Sequence, residues 1–108
     1  MTAYVIATCR KVMDRRGLET YWASAPRSFE GTGCKPLATY TNFRKIEGDY
    51  PLEAVVLIEF PDMTAAQAWY DSPAYQSARQ HRLGAIEAEI IIAEAGFVPD
   101  EQRLPHIK

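Results

Sequence analysis

Two stretches of the chain are apolar at nearly every position. Residues 3 to 10 and residues 53 to 60 are rich in valine, isoleucine and alanine, and neither contains glycine or proline. A strand covered on one face alternates apolar and polar residues, whereas a strand covered on both faces has an almost continuous apolar run. The pattern therefore predicts two strands that are buried on both sides. A third run, residues 87 to 94, predicts a last strand.

Between the first two runs the apolar period changes to that of a helix. Apolar side chains recur at steps of three and four from Leu18 to Phe29, which is typical of a helix lying on a sheet. Asp14 is the predicted N-cap. Pro26 lacks a backbone donor, so we expect this helix to be kinked or interrupted near residues 22 to 26.

A second helical pattern follows residue 60 and contains a break. Thr64 and Gln67 have the spacing of a capping box at its start. Ser72 and Pro73 then predict a helix restart, with the serine as the cap and the proline in the first turn. We therefore expect two helical segments, at residues 64 to 71 and 73 to 84.

Residues 35 to 46 predict a further, more polar strand, in which Leu37, Thr39, Thr41 and Phe43 share one face and Ala38, Tyr40, Asn42 and Arg44 share the other. Residues 47 to 51 contain the glycine and proline of a loop that leads into the next strand. The element order βαββαβ predicts an α+β fold of the ferredoxin-like kind, a four-stranded antiparallel sheet with the helices on one face. Residues 1 to 96 form this one domain, and residues 97 to 108, with two prolines, are expected to be an extended tail.

The helices of such a fold cover only one face of the sheet. In the predicted strands Val55, Leu57 and Val5 oppose Val56, Ile58 and Ile6, so both faces are apolar whichever set points to the helices. An exposed apolar sheet of this size is an association surface. A second copy packed sheet against sheet would cover it, which predicts a homodimer in the form of a dimeric α+β barrel.

Composition narrows the class of partner and the compartment. The chain has 108 residues, 47% of them hydrophobic and 24% charged, with a formal net charge of −2 and scattered basic residues, which argues against nucleic acid. No apolar stretch is long enough for a membrane span, and no signal-peptide pattern is found at the N-terminus. The cytoplasm is therefore the expected location, with Cys9 and Cys34 as reduced thiols. No metal cluster or cofactor motif is found, so neither a metal nor a cofactor is expected.

The residues around the second helical break are similar to a known family. The run from Ala68 to Gln76, together with Arg79 and Arg82, resembles the bacterial domain-of-unknown-function family numbered 1330 over roughly residues 3 to 95. The resemblance implies the dimeric α+β barrel superfamily, whose members include cofactor-independent quinol monooxygenases, haem-degrading enzymes and muconolactone isomerases. It does not imply any of those activities for this chain. The tail lies outside the resemblance and is expected to pack on the partner subunit.

The superfamily's usual ligand pocket lies between the sheet and the helices, and several side chains are candidates for lining it. Aromatic residues at helical spacing are more often core, but a buried tyrosine hydroxyl needs a partner that a ligand can supply. His81 is the one histidine within the predicted fold, and it is either a general base or a solvated helix residue. The predicted ligand-binding residues are Tyr21, Trp22, Tyr40, Trp69 and His81.

A few charged residues remain open to two interpretations. Glu59 lies in an apolar strand and is either a proton acceptor with a raised pKa or a solvated strand-end residue. Arg10, Arg79 and Arg82 are carboxylate binders or members of surface salt bridges. Three functions follow: a homodimer that binds a small aromatic or amphipathic molecule, a cofactor-independent monooxygenase or isomerase, and a structural dimer without a ligand.

Overall fold

The computed structural model describes residues 1–105 and contains the predicted α+β arrangement. Its elements are four strands, three α-helices and two short 3₁₀-helices. Within residues 1–105, none of the helices has the length and apolar character needed to cross a membrane. In chain order the elements are β1 (Ala3–Val12), α1 (Arg15–Ser24), a 3₁₀-helix (Ala25–Phe29), β2 (Lys35–Thr39), β3 (Ala54–Phe60), α2 (Met63–Asp71), α3 (Pro73–Arg82), β4 (Ile86–Glu94) and a second 3₁₀-helix (Asp100–Gln102).

The four strands form one antiparallel sheet in the order β2-β3-β1-β4. Directly opposed residues of an antiparallel pair lie on the same face. Val5 is opposite Ile58 of β3 and Ile92 of β4, and all three point to the helices. Ile6 is opposite Leu57 and therefore points to the other face. The expectation that Val5 shares a face with Leu57, and Ile6 with Ile58, is therefore wrong. Alternation within one strand does not determine its register against the next strand.

The helix boundaries confirm three predictions and correct one. Asp14 caps α1 by accepting from the backbone N–H groups of Arg16 and Gly17. The chain then tightens into a 3₁₀-helix from Ala25, where Pro26 interrupts the α-helix. Ser72 caps α3, as predicted.

The correction concerns the start of α2. The N-cap of this helix is Asp62, whose Oδ1 accepts from Ala65 N at 2.7 Å. Thr64 lies inside the helix, so the capping box predicted for Thr64 and Gln67 is wrong. A short carboxylate directly before the helix accepts a hydrogen bond from the backbone N–H groups of the first turn, which have no partner within the helix. It also interacts favourably with the helix dipole.

The second strand is much shorter than the predicted strand over residues 35 to 46. It ends at Thr39, and Tyr40 takes a left-handed conformation with a φ of 55°. Thr39 is opposite Val56, and β3 begins at Ala54, so residues after 40 have almost no strand left to pair with. Pro51 precedes β3 and has no N–H to continue the ladder. Residues 41 to 51 are accordingly exposed.

Candidate functional site

A cavity of about 350 Å³ lies between the helices and the helix-facing side of the sheet. That volume is within the range of small-molecule sites in proteins, about 300 to 1,000 Å³. Its walls are predominantly apolar and aromatic. The lining residues are Val5, Ala7, Cys9, Tyr21, Trp22, Ala25, Pro26, Phe29, Pro36, Thr39, Tyr40, Val56, Ile58, Trp69, Tyr75, Arg82, Ile86, Ala88 and Ile90.

One end of the cavity is walled by stacked aromatic rings. Trp69 stacks on Phe29 with centroids 5.4 Å apart and lies 4.3 Å from the Tyr75 ring. Its indole Nε1 donates to Ser28 Oγ at 2.9 Å, and that serine is buried in the 3₁₀-helix. The polar atom of Trp69 is thus satisfied by the protein itself, so this residue contributes an apolar ring surface to the cavity.

A pair of tyrosine hydroxyls lies between α1 and α3. The oxygens of Tyr21 and Tyr75 are 3.0 Å apart and share a hydrogen bond. Burial, together with the Tyr75 hydroxyl, raises the pKa of Tyr21, and burial also raises the pKa of Tyr40. At neutral pH Tyr21 and Tyr40 are therefore neutral phenols that can both donate and accept hydrogen bonds.

Tyr40 and Trp22 form the other wall. The Tyr40 ring meets the Trp22 ring edge-on, with centroids 5.1 Å apart. The left-handed backbone at Tyr40 ends β2 and is held by a bond from Tyr40 N to Val55 O at 3.1 Å. Cys9 lies on the sheet below, and burial raises the pKa of its thiol, which makes it a poor nucleophile at neutral pH.

Four of the five predicted ligand-binding residues line this cavity: Tyr21, Trp22, Tyr40 and Trp69. His81 does not line it and is exposed. The helical period explains its position, because Tyr75 and Ala78 are buried and place the inward face of α3 at Arg82, seven and four residues on. The remaining histidine, His106, lies outside the described residues.

The other charged candidates also divide into residues that line the cavity and residues that do not. Arg82 lines the cavity, whereas Arg10 and Arg79 do not. Arg10 forms an ion pair with Glu89 at 3.6 Å. Glu59 is opposite Tyr4, on the sheet face that points away from the helices. Within residues 1–105, no group of three or more histidine, cysteine or acidic side chains could hold a metal ion.

Tyr75 and Arg82 belong to the site although the predicted set of ligand-binding residues omits them. They are seven residues apart, two turns of one helix, and Ala78 lies between them at a spacing of three and four. That spacing was the available signal for Arg82, since it places the arginine on the same face as a buried tyrosine. Cys9 carries no such signal, because its side of β1 depends on the sheet register.

Comparisons with known proteins agree with this fold. The family model described as a domain of unknown function (DUF1330) matches residues 2–96. A protein of unknown function from Rhodopseudomonas palustris is 19% identical with a TM-score of 0.68, over 90% of this chain and 84% of that one. A search of curated proteins found no match.

Two further solved structures carry more specific descriptions. A dimeric ferredoxin-like protein of unknown function from Jannaschia sp. is 14% identical with a TM-score of 0.59, over 88% of this chain and 100% of that one. A mutant form of SnoaB, a cofactor-independent oxygenase from Streptomyces nogalater, is 12% identical with a TM-score of 0.57, over 90% of this chain and 94% of that one. At these identities the likeness is one of fold.

Proposed function

Since the chain belongs to the domain-of-unknown-function family DUF1330, we propose that it is a homodimer in which each subunit binds one small aromatic or amphipathic organic molecule. The cavity between sheet and helices is the observation that carries this proposal. Its volume of about 350 Å³ and its aromatic walls suit a molecule of one or two rings. A purely structural dimer would have no need of an unfilled interior, since protein cores are close-packed.

The dimer is supported by the other face of the sheet. A row of apolar residues crosses all four strands there, formed by Ala38, Leu57, Ile6 and Ile91. The Ile91 side chain is 55% exposed in the single chain. Similar folds are described as dimeric in Jannaschia sp. and Bacteroides fragilis, and a second copy would cover this row.

A cofactor-independent monooxygenase or isomerase is the alternative, and the lining of the cavity favours it less. Among the lining residues that the structure describes there is no aspartate, glutamate or histidine. Burial raises the pKa values of Cys9, Tyr21 and Tyr40, so at neutral pH these groups keep their protons and cannot act as bases. Binding therefore remains the preferred function.

The proposal is tested with a variant in which a larger side chain fills the cavity. Binding of two aromatic probes, 2-naphthalenemethanol and 2-naphthoate, is then measured. In Ile90→Trp the larger ring occupies space between β4 and the helices, because Ile90 lines the cavity. We expect isothermal titration calorimetry to show at least tenfold weaker binding of either probe that the wild type binds. Ile46→Trp is the matched control, since Ile46 lies in a loop and is 81% exposed. Equal affinities in all three proteins, or no binding of either probe to the wild type, would contradict a ligand site here.

A further inference from the structure

Within residues 1–105, one permanent positive charge lines the cavity, and it has no anionic partner. Within residues 1–105, the Nε atoms of Arg10, Arg79 and Arg82 are buried without a hydrogen-bond partner, and of these three only Arg82, at the C-terminal end of α3, lines the cavity. The Arg82 side chain also interacts with the Tyr75 hydroxyl. Across residues 1–105, the ion pairs are Arg10 with Glu89 and Arg103 with Asp100, and neither involves Arg82. A partly buried charge costs free energy unless a counter-charge accompanies it. A ligand in the cavity is placed to supply that charge.

The guanidinium remains charged in its surroundings. Burial acts to lower the pKa of Arg82, but the hydroxyl groups of Tyr75 and Tyr21 outweigh burial and raise it. The guanidinium carbon lies 5.9 Å from the centre of the Tyr21 ring, which gives a cation–π contact. These groups hold Arg82 against one wall without neutralising it.

The neighbouring polar groups are donors as well. Trp22 Nε1 is buried and, within residues 1–105, makes no hydrogen bond of normal geometry, although the Tyr40 hydroxyl lies close enough to interact with it. An indole nitrogen can only donate. Arg82 acts electrostatically on Cys9 and on Tyr40, which places it near this end of the cavity. The site thus combines one cation, one unsatisfied N–H and neutral phenols, and no lining residue within 1–105 is anionic. Such a set lacks the strong acceptors that a cationic or donor-rich ligand would need.

We propose that the ligand is a monocarboxylate, with its carboxylate bound by Arg82 and Trp22 Nε1 and its apolar body lying toward Phe29 and Trp69. This inference rests on the proposed binding function and names its ligand class. A guanidinium matches a planar carboxylate through two parallel N–H···O bonds. One arginine balances one negative charge, which favours a monoanion over a phosphate dianion. The stacked rings at the opposite end provide the apolar half of the site.

The test compares 2-naphthoate with the neutral 2-naphthalenemethanol, which has the same ring system. We expect the wild type to bind the carboxylate at least tenfold more tightly in calorimetric titrations. Arg82→Met keeps an apolar stem and should abolish that preference while changing the affinity for the alcohol less than threefold. Arg82→Lys restores a charge without the planar fork and should give an intermediate preference.

Two further variants separate a direct contact from a general effect. Trp22→Phe keeps the ring and removes the N–H, so it should weaken binding of the carboxylate severalfold and leave the alcohol unaffected. Arg79→Met is the matched control, because Arg79 is on the same helix but does not line the cavity, and it should retain the wild-type preference. Circular dichroism verifies that each variant is folded.

The outcomes distinguish a failure of the carboxylate assignment from a failure of the proposed ligand site. Equal binding of both probes by the wild type, or an unchanged preference in Arg82→Met, overturns the carboxylate assignment and leaves the cavity as a ligand site. Failure of both probes to bind overturns the ligand site and this inference together. Loss of both affinities in Arg82→Met also overturns the assignment, since it would show a structural role for the arginine.

Discussion

Among residues 1–105, Ser28 is the buried polar side chain. It connects the 3₁₀-helix that carries Phe29 to Trp69 of α2. Its hydroxyl donates to Ala25 O and accepts the N–H of Trp69. A buried indole N–H without an acceptor costs free energy, so the orientation of Trp69 depends on this serine. Trp69 is therefore held in place by a small polar residue that no aromatic pattern would single out.

Ser28→Ala is expected to destabilise the protein by about 1 to 3 kcal/mol, because it leaves Trp69 Nε1 buried without an acceptor. The free energy of unfolding from urea titrations followed by circular dichroism measures this loss. Ser24→Ala is the control, since Ser24 only bonds back to carbonyls of its own helix and should cost less than about 0.5 kcal/mol. Similar losses in the two variants would show that the Trp69 bond is not what Ser28 contributes.

At the scale of elements, the break at Ser72 brings two rings together that one helix would separate. Trp69 and Tyr75 are six residues apart, so in a continuous helix they would point about 120° away from each other. Ser72 instead takes an extended conformation with a φ of −64° and a ψ of 146°, and the rings lie 4.3 Å apart. The break between α2 and α3 is thus what allows both helices to contribute to one wall.

The position of the α2 cap gives a prediction at the same scale. Asp62→Ala is expected to lower the free energy of unfolding by about 1 kcal/mol, because the Ala65 amide loses its acceptor. Thr64→Ala should be neutral or slightly stabilising, since Thr64 is an exposed helix residue and alanine has the higher helix propensity. Urea denaturation compares the two variants. A larger loss for Thr64→Ala than for Asp62→Ala would place the cap where the sequence pattern predicted it.

For the whole molecule, the two faces of the sheet have different roles although both are apolar. The face with Val5 and Ile58 packs on the helices and floors the cavity. Ile6, Leu57 and Ile91 lie on the other face, and within residues 1–105 none of them belongs to the core clusters that contain helix residues. Covering that face with a second copy would leave the cavity of each subunit intact, because the sheet lies between them.

Ile91→Asp tests this arrangement. A carboxylate within a sheet-to-sheet interface would be buried without a partner, so we expect the variant to dissociate at concentrations where the wild type is a dimer. Sedimentation velocity at about 10 μM measures the assembly, and Ile46→Asp in the exposed loop should remain dimeric. A wild type that sediments as a stable monomer would contradict the homodimer.

The sequence by itself determined the α+β class, the strand and helix order, and the breaks at Pro26 and Ser72, because these depend on local periodicity and on backbone chemistry within a few residues. It also identified four of the cavity's aromatic residues, since Tyr21, Trp22, Tyr40 and Trp69 stand out in any helix or strand that covers a sheet.

Only the tertiary structure decided which side each strand residue occupies and which charged group enters the cavity. Both faces of β1 and β3 are apolar, so the residue pattern does not show which side chains point to the helices. Val5 lies opposite Ile58 because of the pairing between two strands that are distant in sequence. His81 and Arg82 are neighbours in sequence, yet the packing of α3 on α1 and on the 3₁₀-helix Ala25–Phe29 turns one to solvent and the other to the cavity. The orientations of these side chains depend on contacts between residues that are distant in sequence, so a short stretch of sequence does not determine them.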